Sequence, residues 1–205
     1  MASSEEAVRG TCGAGGAHAD GGERADGRVG GRAFGPGDGL AGLSREQLAA
    51  YAVLCSKNLF AIDGTWFQSI EAECGMDAAI RHDENAWRRY SATEARRLKA
   101  FLGLGESCGL EGLAAALPLK LTSLCNETEL RWEGDELVFR VTTCRVQAAR
   151  TRKGMPLHPC KSVGLLEYGC FARALDERIV CTCDSCHPEA VDGTCACAWR
   201  FRLEG

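Results

Sequence analysis

The sequence predicts an α+β fold, with a helical N-terminal half followed by an antiparallel sheet of two hairpins with intervening helices. Three observations carry this expectation. Between Leu43 and Cys125 apolar residues recur at helical spacing behind two capping-box patterns. From Glu129 the spacing becomes alternating around Glu133-Gly134-Asp135, which has the composition of a hairpin turn. A second alternating pair, Arg178–Cys183 and Cys195–Leu203, follows near the C-terminus.

Ser44 with Gln47 opens the first helix. Leu48, Ala52, Cys55, Leu59, Ile62, Trp66 and Ile70 define its buried face, and Gly75 is its C-cap. A second helix runs from Asp77 to Tyr90 with Ile80, Trp87 and Tyr90 facing inward. Ser91 with Glu94 opens a third, ending about Leu104. A fourth runs from near Ser107 to Cys125 and breaks before Pro118, whose ring removes a backbone N–H. Two further helices, about Arg145–Lys153 and Lys161–Leu175, connect the hairpins.

The 205 residues suffice for one domain with a proper core. The first 42 hold 13 of the 25 glycines and few large apolar side chains, too little to offset chain entropy, so 1–42 is expected to be a disordered tail and 43–205 the domain. Cys12 and His18 fall in that tail. A net charge of −4 gives no nucleic-acid footprint, and no apolar run reaches the roughly 18 residues of a membrane span. Met1 to Gly10 lacks the basic start and apolar stretch of a secretory leader, so a cytoplasmic protein is expected. In that reducing compartment the 13 cysteines point to metal binding or redox chemistry rather than disulfides.

Residues 181–197 read CTCDSCHPEAVDGTCAC. A hairpin symmetric about residue 189 would set Cys183 opposite Cys195 and Cys181 opposite Cys197, with Cys186 in the loop. Cys183 and Cys186 have the spacing at which two thiolates grip one ion, and soft thiolates favour zinc or an iron–sulfur cluster. Cys160 follows Pro159 at a helix start, where amide dipoles favour thiolate; it is read as a ligand, with a nucleophile as the alternative. His158 and His187 flank the cluster and are read as solvated.

The segments CRVQAAR (144–150), PCKSVGLLEY (159–168), FARALDERI (171–179), CDSCHPE (183–189) and CAWRF (197–201) resemble a bacterial family of uncharacterised cytosolic proteins, as do DGTWF (63–67) and Asp83–Trp87. The layout is more distantly similar to the L-2-amino-thiazoline-4-carboxylic acid hydrolases and to the 4-vinyl-reductase-type small-molecule-binding domains. The closer resemblance picks out Cys144, Cys160, Cys183, Cys186 and Cys197 as recurring cysteines. The expected metal ligands are Cys160, Cys183, Cys186 and Cys197; the alternative is that Cys181 and Cys195 replace Cys160 or Cys197.

Asp63 shares a stripe with Leu59 and Trp66, which places a carboxylate on the expected buried face as a base, a substrate anchor or a turn-former. Arg140, Arg145, Arg150, Arg152, Lys153 and Lys161 make the sheet-to-helix segment locally positive. Gln147 and Arg150 share a helical face there, and together with Asp63 and Lys161 they are the expected substrate-binding residues for a small anionic molecule. The expected function is a cysteine-ligated metal-binding domain, with metal-dependent hydrolysis of C–N or C–S bonds as its catalytic form. The alternatives are a non-catalytic sensor with structural zinc and an iron–sulfur or redox protein.

Overall fold

The computed structural model describes residues 35–204. The expected tail falls mostly on 1–34, outside the described residues. Residues 35–41 carry one 3-10 turn, Asp38–Leu40, in which the Asp38 carboxylate accepts the Gly35 N–H. The unit from Gly42 onward is α+β, as the spacing predicts.

Its first half is helical: α1 (Arg45–Cys74), α2 (Met76–Phe101) and α3 (Gly109–Ala116), with 3-10 turns at Leu117–Leu119 and Ser123–Cys125. The capping box at α1 is complete, Ser44 and Gln47 each accepting the other's backbone N–H. Gly75 joins α1 to α2 at φ 82°, a conformation that side chains with a Cβ rarely adopt. The expected break at Ser91 does not occur. Ser91 lies inside α2, and Glu94 accepts the N–H of Leu121 at 2.6 Å instead of capping a new helix. A capping-box pattern without a breaker residue leaves the helix free to continue, and a tertiary acceptor role takes the glutamate.

The second half contains β1 (Glu127–Glu133), β2 (Glu136–Thr143), α4 (Arg145–Arg152), α5 (Lys161–Leu175), β3 (Ile179–Cys186) and β4 (Cys197–Leu203). The hairpins join into one antiparallel sheet of order β1-β2-β4-β3. Residues from its inner face, including Phe139, Val141, Trp199 and Phe201, pack with Tyr168, Phe171 and Leu175 of α5 and Leu113 and Leu117. Gly164 is required where it stands: a Cβ there would lie 2.5 Å from the Trp199 ring, which stacks on Tyr168 at 4.9 Å. On the sheet's other face Arg200 binds Glu133, Glu136 and Asp184.

The register of the second hairpin differs from symmetry about residue 189. Cys181 opposes Phe201, Cys183 opposes Trp199 and Cys186 opposes Cys197. Cys186 belongs to β3, and Cys195 lies in the connection with its thiol 3.4 Å from Asp192. The outer part of the hairpin pairs about residue 191 rather than 189, and a bulge between Cys183 and Ser185 adds one residue to β3. That residue turns Cys186, at odd separation from Cys183, to the inner face beside Cys197.

The face of α1 also differs. Its buried residues are Ser56 and Phe67, whereas Leu48, Ile62 and Trp66 are 40, 60 and 69% exposed. Asp63 and Gly64 sit within the continuous helix, half-buried. Among the described residues no helix is long and apolar enough to cross a membrane.

Candidate functional site

A cavity of about 350 Å³ opens where α1, α2, α4, α5 and the inner sheet face meet. Phe60, Phe67, Trp87, Tyr168 and Trp199 supply aromatic surface. One wall carries Cys144, Cys160, Cys186 and Cys197, and the lining also holds the carboxylates Asp63, Asp83 and Glu167, with His158. This mixture of apolar walls and a few polar groups is the usual make-up of a small-molecule site.

The thiols are held by three elements. Cys160 is the N-cap residue of α5, Cys186 ends β3, and Cys197 begins β4 opposite it. Cys160 Sγ lies 3.5 Å from Cys186 Sγ, and the Trp199 indole N–H points at Cys197 Sγ at 3.2 Å. The Cys186 hydrogen bond pulls the Cys160 thiol well below the ordinary thiol range; burial opposes this and the adjacent His158 reinforces it. Cys186 is correspondingly held as a thiol by its bonds to Cys160 and Cys197. Cys144, at the start of α4, is pushed up to about 11 by burial.

His158 is buried at 6% exposure. Its Nε2 faces Asp83 Oδ2 at 3.4 Å, and its Nδ1 has no hydrogen-bond partner. Burial works against an imidazolium, yet Asp83 and Cys160 hold the proton on and raise the pKa to about 9. Asp63 is raised to about 7, first by burial and then by the nearby Asp83 and Glu167. These environments favour the thiolate at Cys160 and the imidazolium at His158, with Asp83 beside the ring, and they shift the Asp63 carboxyl towards neutral pH.

Gln147 spans both ends of the His158–Cys160 segment. Its Oε1 accepts the His158 N–H, while its Nε2 donates to the His158 carbonyl at 2.8 Å and to Cys160 Sγ at 3.5 Å. It lines the pocket and orients the pair. Arg150, 2% exposed, gives both arms of its fork to Glu71 at 2.8 Å and its Nε to the Pro156 carbonyl. Lys161 pairs with Glu189 at 2.5 Å and is not part of the lining. Asp63 is. Of the expected metal ligands, Cys160, Cys186 and Cys197 come together on one wall; Cys183 packs at the edge of the core cluster and is absent from the lining. Among the described residues no group of three or more His, Cys, Asp and Glu side chains has the arrangement of a metal site.

The sequence reading of His158 as solvated is wrong, since the residue is buried, and that reading gives Asp83 and Glu167 no role. His158 carried one usable signal, its position two residues before a cysteine at a helix start; Asp83 and Glu167 reach the pocket only through the packing of α2 and α5. Glu167 also closes a buried network, accepting from Lys120 Nζ at 2.5 Å and Thr122 Oγ1 at 3.1 Å.

Residues 41–203 match the family of unknown function DUF6125. The chain belongs to that family. The match covers the whole of the helical half, both hairpins and every residue of the pocket. No curated protein and no solved structure matches the chain.

Proposed function

We propose that the protein is a cytoplasmic small-molecule enzyme with Cys160 as its nucleophile, hydrolysing a C–N or C–S bond at an acyl or amidine carbon. The observation that carries this reading is the Cys160 thiol inside the cavity, at a helix N-terminus, beside His158 and its partner Asp83. The Cys160 thiolate attacks the substrate carbon, and the leaving nitrogen or sulfur takes the His158 proton as its bond to carbon breaks. Water then attacks the covalent adduct, His158 accepts the water's proton, and Cys160 departs as thiolate. Cys186 contributes a sulfur-to-sulfur hydrogen bond that keeps the resting nucleophile ionised. Lys57 and Arg145 in the lining are the cations on which an anionic substrate group rests.

A second reading is a soft-metal site, zinc or an iron–sulfur cluster, used for sensing or structure. It is favoured by the convergence of Cys160, Cys186 and Cys197 on one wall.

Iodoacetamide labelling read by mass spectrometry tests the first reading. At pH 6 Cys160 is expected to react at least about ten-fold faster than the exposed Cys55 and Cys74, because thiolate is the reacting form. His158→Ala is expected to reduce that advantage. A Cys160 that reacts no faster than Cys55 at pH 6 rejects the nucleophile, and metal bound after anaerobic purification, lost in Cys186→Ser, supports the second reading.

A further inference from the structure

We propose that α1 is a dimerisation helix, through which two copies of this chain pair antiparallel along the stripe Leu48, Ala52, Cys55, Leu59, Ile62 and Trp66. These positions follow one another at intervals of four and three in strict alternation. That average of 3.5 residues is the repeat at which two helices interlock side chains along a continuous seam. Leu48, Ile62 and Trp66 are 40, 60 and 69% exposed, and Cys55 is exposed as well.

A helix face turned to solvent ordinarily carries lysine and glutamate. Between Leu48 and Ala72 the charged residues of α1 are Lys57, Asp63 and Glu71, and none stands on the stripe. Asp63 borders the stripe beside Ile62 but is half-buried and lines the cavity, and Glu71, on the helix's other side, binds Arg150. The neighbouring stripe-edge residues Tyr51, Asn58 and Thr65 are uncharged. An apolar seam of this length, with a neutral exposed edge and its one flanking carboxylate, Asp63, turned half-buried towards the cavity, fits another copy of itself. The chain's own first 42 residues do not fit it. Their large apolar residues are Met1, Val8, Val29, Phe34 and Leu40, scattered among glycines and unable to supply a matching row.

Charge sets the direction. Arg45 and Glu73 are exposed, extend the same heptad spacing and stand equidistant from Leu59. Among the described residues neither makes an ion pair. An antiparallel pair centred on Leu59 places Arg45 of each copy against Glu73 of the other and opposes the two helix dipoles. A parallel pair would set like charges together at both ends.

Sedimentation equilibrium of the full chain tests this. At about 50 μM, within the range where weak specific homodimers assemble, the expected mass is twice the 22.0 kDa of one chain. Ile62→Glu with Trp66→Glu is expected to give the single-chain mass with an unchanged far-UV spectrum, since both positions are on the surface. Glu73→Arg is expected to weaken the dimer about ten-fold, and adding Arg45→Glu to the same chain to restore it. A wild-type chain that stays single at this concentration overturns the proposal, as does a dimer indifferent to the Ile62 and Trp66 changes. A dimer that Arg45→Glu does not restore overturns the antiparallel arrangement.

Discussion

α1 and α2 are both long helices, of 30 and 26 residues, and they place their polar and apolar faces in opposite senses. α2 buries Ala78, Ala79, Trp87 and Ala95 and leaves Arg81, Arg88, Arg89, Arg96 and Arg97 in solvent. α1 turns Ser56, Asp63, Gln68 and Glu71 inward beside Phe60 and Phe67, and leaves an apolar stripe outside. Ser56 donates to the Leu121 carbonyl at 2.5 Å, Glu71 holds Arg150, and Asp63 and Gln68 face the cavity. An apolar stripe marks the side of a helix that seeks apolar surface without saying whose surface that is. Where a helix borders a polar pocket, its inner side must carry hydrogen-bonding groups, and the ordinary inference from amphipathy reverses.

The largest expected effect lies on the inner face of α2. Glu94 accepts the Leu121 N–H and stands 3.4 Å from Lys120 Nζ, which is completely buried. Removing one partner of a buried ion pair costs about 3–5 kcal/mol, so Glu94→Ala should lower the chain's stability by roughly that amount in urea denaturation. A loss below about 1 kcal/mol would mean that Glu167 alone satisfies Lys120.

A change on the inner face of α1 should have the opposite sign. Asp63 has a folded pKa of about 7 against an ordinary 3.8, so the native state holds this proton more tightly than the unfolded chain does. Stability from this group is therefore lost as pH rises from about 4 to about 7, and above that the ionised carboxylate is penalised. Asp63→Asn keeps the shape without the charge. It should match the wild type near pH 4 and exceed it at pH 8 by on the order of 1–3 kcal/mol. Equal differences at the two pH values would remove Asp63 from the set of proton-exchanging pocket groups.

The smallest effect belongs to the outer face of α2. Arg88→Ala should change stability by no more than about 0.5 kcal/mol and leave the sedimenting mass untouched, in contrast to charge placed on the outer face of α1. A change in mass would extend the interface beyond α1.

By itself the sequence determined the order and type of the elements, apart from the break it placed at Ser91 within α2, because capping residues, turn glycines and the change from helical to alternating spacing are local signals. Ser44, Gly75 and Glu133-Gly134-Asp135 stand where their chemistry requires, and α5 occupies the residues its pattern marks out. The sequence also singled out Cys160, Cys186, Cys197, Asp63 and Gln147, all of which reach the cavity. Only the tertiary structure decided what those residues do there. One bulge in β3 put Cys186 rather than Cys183 against Cys160, and Glu71, 79 positions before Arg150, took the guanidinium that the sequence left available for an anion. His158 became a buried partner of Asp83 because α2 packs beside it. Strand register, ion-pair choice and the burial of a loop histidine depend on contacts between distant segments, and local spacing carries no record of them.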